Sequence, residues 1–185
     1  MEFNLSEAAQ KKIEELKSRY PDPRSAVMMA LYVIQDECGF ISAPAVLWLS
    51  ERINIAPVHI QELITFYTMY KSKAVGQYHF QVCRTLSCAL LGAGDLTKHI
   101  CDRFQIKPGQ VSADGKYSCE EVECLGSCGT APVCQVNDRF FENMTPAKMD
   151  LLIADLEREH PSLKLSAISE DLPNEFNKYP KSEVI

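Results

Sequence analysis

No apolar run in this sequence approaches the roughly 20 residues that a membrane-spanning helix needs. The longest, around Ala26 to Ile34, is less than half of that. The N-terminus, MEFNLSEAAQ, has neither the positive start nor the apolar core of a secretory signal, and is too acidic and arginine-poor for an organelle transit sequence. A cytoplasmic chain without direct membrane insertion is expected. Lysine and arginine blocks are missing as well, no basic stripe carries interleaved aromatics, and the net charge is −6. Nucleic-acid binding depends on neutralising phosphates, so the sequence argues against it. No P-loop, H-E-x-x-H or nucleophile elbow occurs, and Gly92-Ala93-Gly94 is only a fragment of a dinucleotide fingerprint. Any hydride chemistry is therefore expected on another chain, with no catalytic residue in this one.

What the sequence does have is cysteine, eight in all. Cytosolic thiols are kept reduced, which turns attention from disulfides to metal binding or redox chemistry.

The first 70 or so residues read as helices. Ser6 is placed to cap one that runs through Arg19, with Ala9, Ile13 and Leu16 on its apolar side. Asp22-Pro23 supplies the N-cap and first residue of a second, ending near Glu37, where Gly39 suits a left-handed cap. Ser42 caps a third helix carrying Val46, Leu47 and Leu49; a fourth starts near Pro57 with Ile60, Leu63, Ile64 and Tyr67. Together they predict a small N-terminal helical bundle over residues 1–74, closed by the polar junction from Lys71 to Gly76. Tyr78, Phe80 and Val82 then alternate with polar neighbours, a strand signal. Residues 89–104 return to helical spacing, Tyr117 to Val122, Val133 to Val136 and Arg139 to Phe141 read as strands, and Thr145-Pro146 opens a last helix ending near His160-Pro161. That order predicts an α+β chain whose second domain, residues 75–160, is thioredoxin-like. Thioredoxin-like folds often place a cis-proline before a strand, and that likeness implies a cis peptide before Pro132. Residues 161–185 read as an irregular C-terminal tail.

Cys83 and Cys88 form C-x4-C directly after the first strand, and Cys124 and Cys128 form C-x3-C directly after the second. If the two strands are neighbours in one sheet, both loops leave it at the same end and four thiolates converge. Two pairs of sulfurs suit a rhombic [2Fe–2S] core, each iron taking one pair. Sulfur ligands also suit zinc, but zinc sites commonly use C-x2-C knuckles and this chain has none. The same absence argues against a thioredoxin-type dithiol enzyme. Cys119 makes a second C-x4-C with Cys124, yet it falls inside a strand and reads as a small buried thiol, as do Cys38, Cys101 and Cys134 in their own elements. Gly126 and Gly129 allow backbone N–H groups close to sulfur, Thr85 and Ser87 offer hydroxyls, and a helix after Cys88 would point its N-terminal N–H groups at the cluster.

The segments VCRTLSCALLGA, with Cys83 and Cys88, and VECLGSCGTAPVCQVND, with Cys124 and Cys128, resemble the small thioredoxin-like [2Fe–2S] subunit of respiratory complex I, its 24 kDa or E subunit. PVHIQELITFYTMY resembles that family's helical segment ending in a Phe-Tyr pair, here Phe66-Tyr67. The resemblance spans about Leu5 to Glu159 and implies the same four ligands, Cys83, Cys88, Cys124 and Cys128; Cys119 and Cys134 lie outside its pattern. It further implies a subunit of NADH:quinone oxidoreductase that exchanges single electrons with the FMN of an adjacent NADH-oxidising flavoprotein subunit. FMN and NAD would sit on that partner, among the other peripheral-arm subunits, at the cytoplasmic face of a bacterial inner membrane. Two other readings remain open: the equivalent subunit of an NAD-dependent hydrogenase or formate dehydrogenase, and a zinc-stabilised interaction module. A free-standing ferredoxin-like carrier is a further option, to which a helical domain and a tail add surface it does not need.

Overall fold

The computed structural model describes residues 3–159 and separates into two compact units, one ending at Ala74 and the other starting at Val75. The tail expected over residues 161–185 lies outside the described residues.

The first unit is helical, and local capping chemistry sets its limits. Helix α1 (Glu7–Ser18) starts where Ser6 Oγ accepts the Ala9 N–H at 3.2 Å, and the Glu37 carboxylate in turn accepts the Ser6 N–H at 2.7 Å. Asp22-Pro23 does not open the second helix directly. Asp22 accepts the Arg24 N–H at 2.9 Å, which closes a tight 3-10 turn over Pro23–Ala26 before α2 (Val27–Cys38) begins. Gly39 ends α2 with φ +79°, the left-handed geometry that glycine adopts without a Cβ clash. Helices α3 (Ala43–Ile53) and α4 (Pro57–Phe66) follow, α3 capped by Ser42 Oγ at 3.3 Å from the Ala45 N–H. Ile13, Leu31, Ile34, Leu49 and Ile60 are fully buried at the centre of this unit. The buried Gln35 donates to the Met69 carbonyl at 3.0 Å and accepts the Lys71 N–H at 2.7 Å, pinning the chain that leaves the bundle.

The second unit is a five-stranded sheet in the order β2-β3-β1-β4-β5. Strand β1 (Tyr78–Cys83) lies parallel to β3 (Tyr117–Val122), in register from Tyr78 opposite Tyr117 to Cys83 opposite Val122. Strands β2 (Gln110–Val111), β4 (Cys134–Val136) and β5 (Arg139–Phe141) pair antiparallel. The two-residue β2 is too short for an alternation signal, and the sequence pattern misses it. The single helix expected over 89–104 is in fact two, α5 (Leu86–Leu90) and α6 (Ala93–Phe104), separated at Gly92, whose φ of +99° cannot continue a helix. With α7 (Pro146–Glu159), α6 packs on the sheet face that carries Tyr78, Phe80 and Val82, around Leu96, Ile100, Met149 and Ile153. The opposite face is polar yet also buried. His79 bonds Ser118 Oγ through Nδ1 at 2.7 Å and Glu120 through Nε2 at 3.0 Å, and its backbone N–H donates to Asn137 Oδ1 at 2.8 Å. Alternation in β1 reads as one wet face; His79 and Gln81 are buried instead, and these hydrogen bonds satisfy the His79 polar groups that burial removes from water. No described helix is long and apolar enough to cross a membrane.

Candidate metal centre

Parallel pairing of β1 and β3 brings their C-terminal ends to one edge of the sheet. Cys83 closes β1, and its N–H donates to the Val133 carbonyl at 3.1 Å; the Arg84 N–H donates to the Val122 carbonyl at 2.9 Å. Cys124 follows two residues after β3. Cys88 sits inside α5, which packs on the 3-10 turn Cys128–Thr130. Strand pairing thus brings the two cysteine loops together, and the exposed Arg84–Glu123 ion pair joins them from outside. Cys83 and Cys88 are buried, whereas Cys124 and Cys128 are open to solvent.

The sulfurs fall into two pairs. Cys124 Sγ and Cys128 Sγ are 3.6 Å apart. A tetrahedral metal holding thiolates at about 2.3 Å would set two of them about 3.8 Å apart. Cys83 and Cys88 share a thiol hydrogen bond, and both Cys88 and Cys124 feel the charges of the opposite pair. Among the described residues no three His, Cys, Asp or Glu side chains gather around one point. Two facing pairs are the arrangement a binuclear cluster needs, and the residues fit it.

The electrostatics repeat in each pair. Burial opposes ionisation of Cys83, but the Thr85 hydroxyl, the Leu125 and Thr85 N–H groups and the Cys88 thiol together hold its pKa below the ordinary thiol value. Burial pushes Cys88 up, and the neighbouring Cys83 adds to this. Cys124 is lowered, first by the Gly126 N–H at 3.4 Å from its sulfur, then by Cys128 and Thr85. Cys128 is raised, chiefly by Cys124. Each pair thus holds one sulfur that is easier and one that is harder to ionise than an ordinary thiol, and metal binding requires the loss of both protons.

Backbone amides supply most of these donors, and they come from places the sequence does not advertise. Leu125, Gly126 and Val133 are loop residues whose N–H groups aim at Cys83, Cys124 and Cys88. The helix expected to begin after Cys88 begins before it: α5 starts at Leu86, has five residues and contains Cys88. Side-chain type gives no clue to an amide's aim, so Leu125 and Val133 read as packing residues in sequence. The Ala131–Pro132 peptide is cis.

The other cysteines sit elsewhere. Cys119 is fully buried in β3, and burial together with Cys101 and Cys134 drives its thiol far above the ordinary range. Cys134 is also fully buried and pushed up to about 12. Cys101 is buried in α6, where it hydrogen-bonds Cys119. Cys38 does not join a core; as the last residue of α2 it is exposed. The described histidines have other partners, His99 with Asp150 at 2.9 Å and His59 with Glu62 at 3.2 Å.

Residues 13–157 match the family model described as thioredoxin-like [2Fe-2S] ferredoxin. The chain is 38% identical over 141 residues to the second E-type chain of the NADH-quinone oxidoreductase of Rhizobium meliloti, covering 76% of this chain and 84% of that protein. It is 40% identical over 147 residues to NADH-quinone oxidoreductase subunit 2 of Thermus thermophilus, covering 78% and 81%. Among solved structures, an NAD+-reducing [NiFe]-hydrogenase in its air-oxidized state superposes with a TM-score of 0.62 at 24% identity, over 73% of this chain and 23% of that one. That last likeness is one of fold.

Proposed function

The chain belongs to the thioredoxin-like [2Fe–2S] ferredoxin family, and from that membership we propose that it is the one-electron subunit of an NADH:quinone oxidoreductase. The observation that carries this reading is the meeting of two cysteine pairs at the paired ends of β1 and β3. Cys83, Cys88, Cys124 and Cys128 would hold the [2Fe–2S] cluster. When bound, it accepts and releases single electrons. The protein's own part is to supply four thiolates, direct the Leu125, Gly126 and Val133 amides at them, and bury one pair while leaving the other open.

A one-electron carrier needs a partner, and the edge that holds the cysteines also presents apolar surface. Leu86, Leu90 and Leu91 are 74%, 77% and 60% exposed, on or just after the short helix that contains Cys88. Leu86 and Leu90 are four residues apart and share one helix side. Exposed Glu121, near the end of β3, and Glu123, just after it and paired with Arg84, lie at the end of the sheet that leads into the cysteine loop, and four thiolates add negative charge. A partner of complementary chemistry has an apolar recess rimmed by lysine and arginine. We assign that partner as the flavoprotein subunit that carries FMN and oxidises NADH, with the assembly seated at the cytoplasmic face of the membrane.

The reading is tested on the full chain purified without oxygen. About two irons and two sulfides per chain, with a rhombic EPR signal after dithionite, are expected. A colourless protein with about one zinc overturns it and makes the chain an interaction module. Co-purification separates the two enzyme classes: quinone-reductase subunits support the assignment, hydrogenase or formate dehydrogenase subunits replace it. The docking surface has its own expected result. Replacing Leu86 and Leu90 together by glutamate weakens binding to the flavoprotein subunit by about 100-fold, as loss of two apolar anchors would, while the visible spectrum is unchanged. Unaltered affinity in an intact variant moves the docking surface elsewhere.

A further inference from the structure

Thr85 occupies the N-cap of α5, yet its hydroxyl makes no capping bond. Threonine in that position ordinarily accepts an N–H from the first helical turn. Here Oγ1 lies 3.1 Å from Cys83 Sγ, and it also reaches Cys124. One hydroxyl therefore meets a cysteine of each pair, while Ser87 is directed at Cys128. A helix start has given up its own side-chain cap to place an O–H between the two loops.

We propose that Thr85 is a positioning residue that sets the reduction potential of the cluster, by donating its hydroxyl proton to the Cys83 thiolate. The inference rests on the cluster reading above. A metal-bound thiolate carries no proton, so the hydroxyl must be the donor. It has one proton and serves one sulfur at a time; Cys83, at 3.1 Å and buried, holds it in surroundings of low dielectric. Reduction adds one electron and increases the negative charge on the sulfurs. No bond breaks, and the proton stays on Oγ1. The hydrogen bond is stronger in the reduced state, so it favours reduction and raises the potential.

The experiment is an EPR-monitored redox titration of the cluster-loaded full chain and its Thr85→Val and Thr85→Ser variants, each checked for iron and sulfide. Thr85→Val is expected to titrate lower, with a reduction equilibrium roughly tenfold less favourable, about 59 mV for one electron. Thr85→Ser, which keeps the hydroxyl, stays near the wild type. An intact Thr85→Val cluster with the wild-type potential overturns the proposal, as does a serine variant that falls with it. If valine prevents assembly, Thr85→Ala replaces it in the same comparison, and pulsed EPR in heavy water supplies a second reading. Beside the couplings of the loop amides, one exchangeable deuteron coupling should then be shared by the wild type and the serine variant and be missing in alanine; an alanine spectrum that keeps every wild-type coupling also overturns the proposal. A wild-type chain without two irons and two sulfides fails at the cluster reading itself and removes the inference with it.

Discussion

Replacing Cys124 by serine is expected to abolish or strongly alter the visible and EPR spectra of the cluster, while Cys119→Ser leaves both intact. The two residues are only five positions apart in sequence, but the fold gives them opposite surroundings. Cys124 stands in an exposed loop with its sulfur 3.6 Å from Cys128 and a Gly126 N–H directed at it. Serine there offers a harder, more basic oxygen that suits iron–sulfur ligation poorly. Little is packed against it, so the fold should survive. Cys119 is fully buried in β3, beside Phe80, with its thiol held neutral by burial. Serine there places a hydroxyl in an apolar site at a cost of about 1–3 kcal/mol, read as a lower Tm with the same spectrum. The two variants should therefore cross, one losing the cluster and the other stability. Iron content, visible absorption and thermal unfolding measured side by side decide the matter. Loss of the wild-type spectrum in Cys119→Ser would overturn the ligand assignment.

Gly76→Ala should be among the most damaging single substitutions outside the cysteines. A Cβ at this position would lie 2.5 Å from the Tyr117 carbonyl carbon, 2.7 Å from the Ser118 nitrogen and 2.8 Å from the Lys116 oxygen. All three are backbone atoms of, or next to, strand β3, and they cannot rotate aside as a side chain would. The same approach is held by the Gly76 N–H donating to Ser118 Oγ at 2.8 Å and the Tyr78 N–H donating to the Lys116 carbonyl at 2.8 Å. Relief of the clash must separate the start of β1 from β3, which loosens the pairing that aligns the cysteine loops. The expected cost is about 3 kcal/mol or more, at the upper end of what overpacking does. Urea unfolding followed by far-UV circular dichroism measures it as a lowered midpoint. Gly94→Ala is the control. It is the second residue of α6, with nothing within 4 Å of the added Cβ, and should leave the midpoint unchanged or slightly raised. An unchanged midpoint for Gly76→Ala would mean that the close approach to β3 is not maintained in solution.

Several features were legible before any fold was known because their causes are local. Ser6, Ser42 and Gly39 mark helix ends through bonds made within one turn, and they mark them correctly. The 3-10 turn at Pro23–Ala26 and the break at Gly92 are also local, but periodicity smooths over both, since apolar spacing continues through them. The buried polar face of β1 was not legible. His79 and Gln81 look like solvent-facing residues until Ser118, Glu120 and Asn137, 39 to 58 positions away, are seen to bond the His79 side chain and backbone. Cys38 differs in the opposite sense: a cysteine at the end of an apolar helix suggests burial, yet the last residue of α2 is exposed.

The candidate chemistry of this protein is written locally along the chain: four cysteines in two short spacings, one at the end of a strand and one just after the next. Spacing within a loop is a short-range property, and it survives without knowledge of the rest of the molecule. How those ligands are used is a matter of the folded chain. Parallel register between β1 and β3 brings the pairs together, the loop amides of Leu125 and Val133 turn towards them, Thr85 leaves its helix for a sulfur, and three leucines come to lie open at the same edge. Each of these depends on segments that are neighbours in space and strangers in sequence, which meet only when the sheet forms.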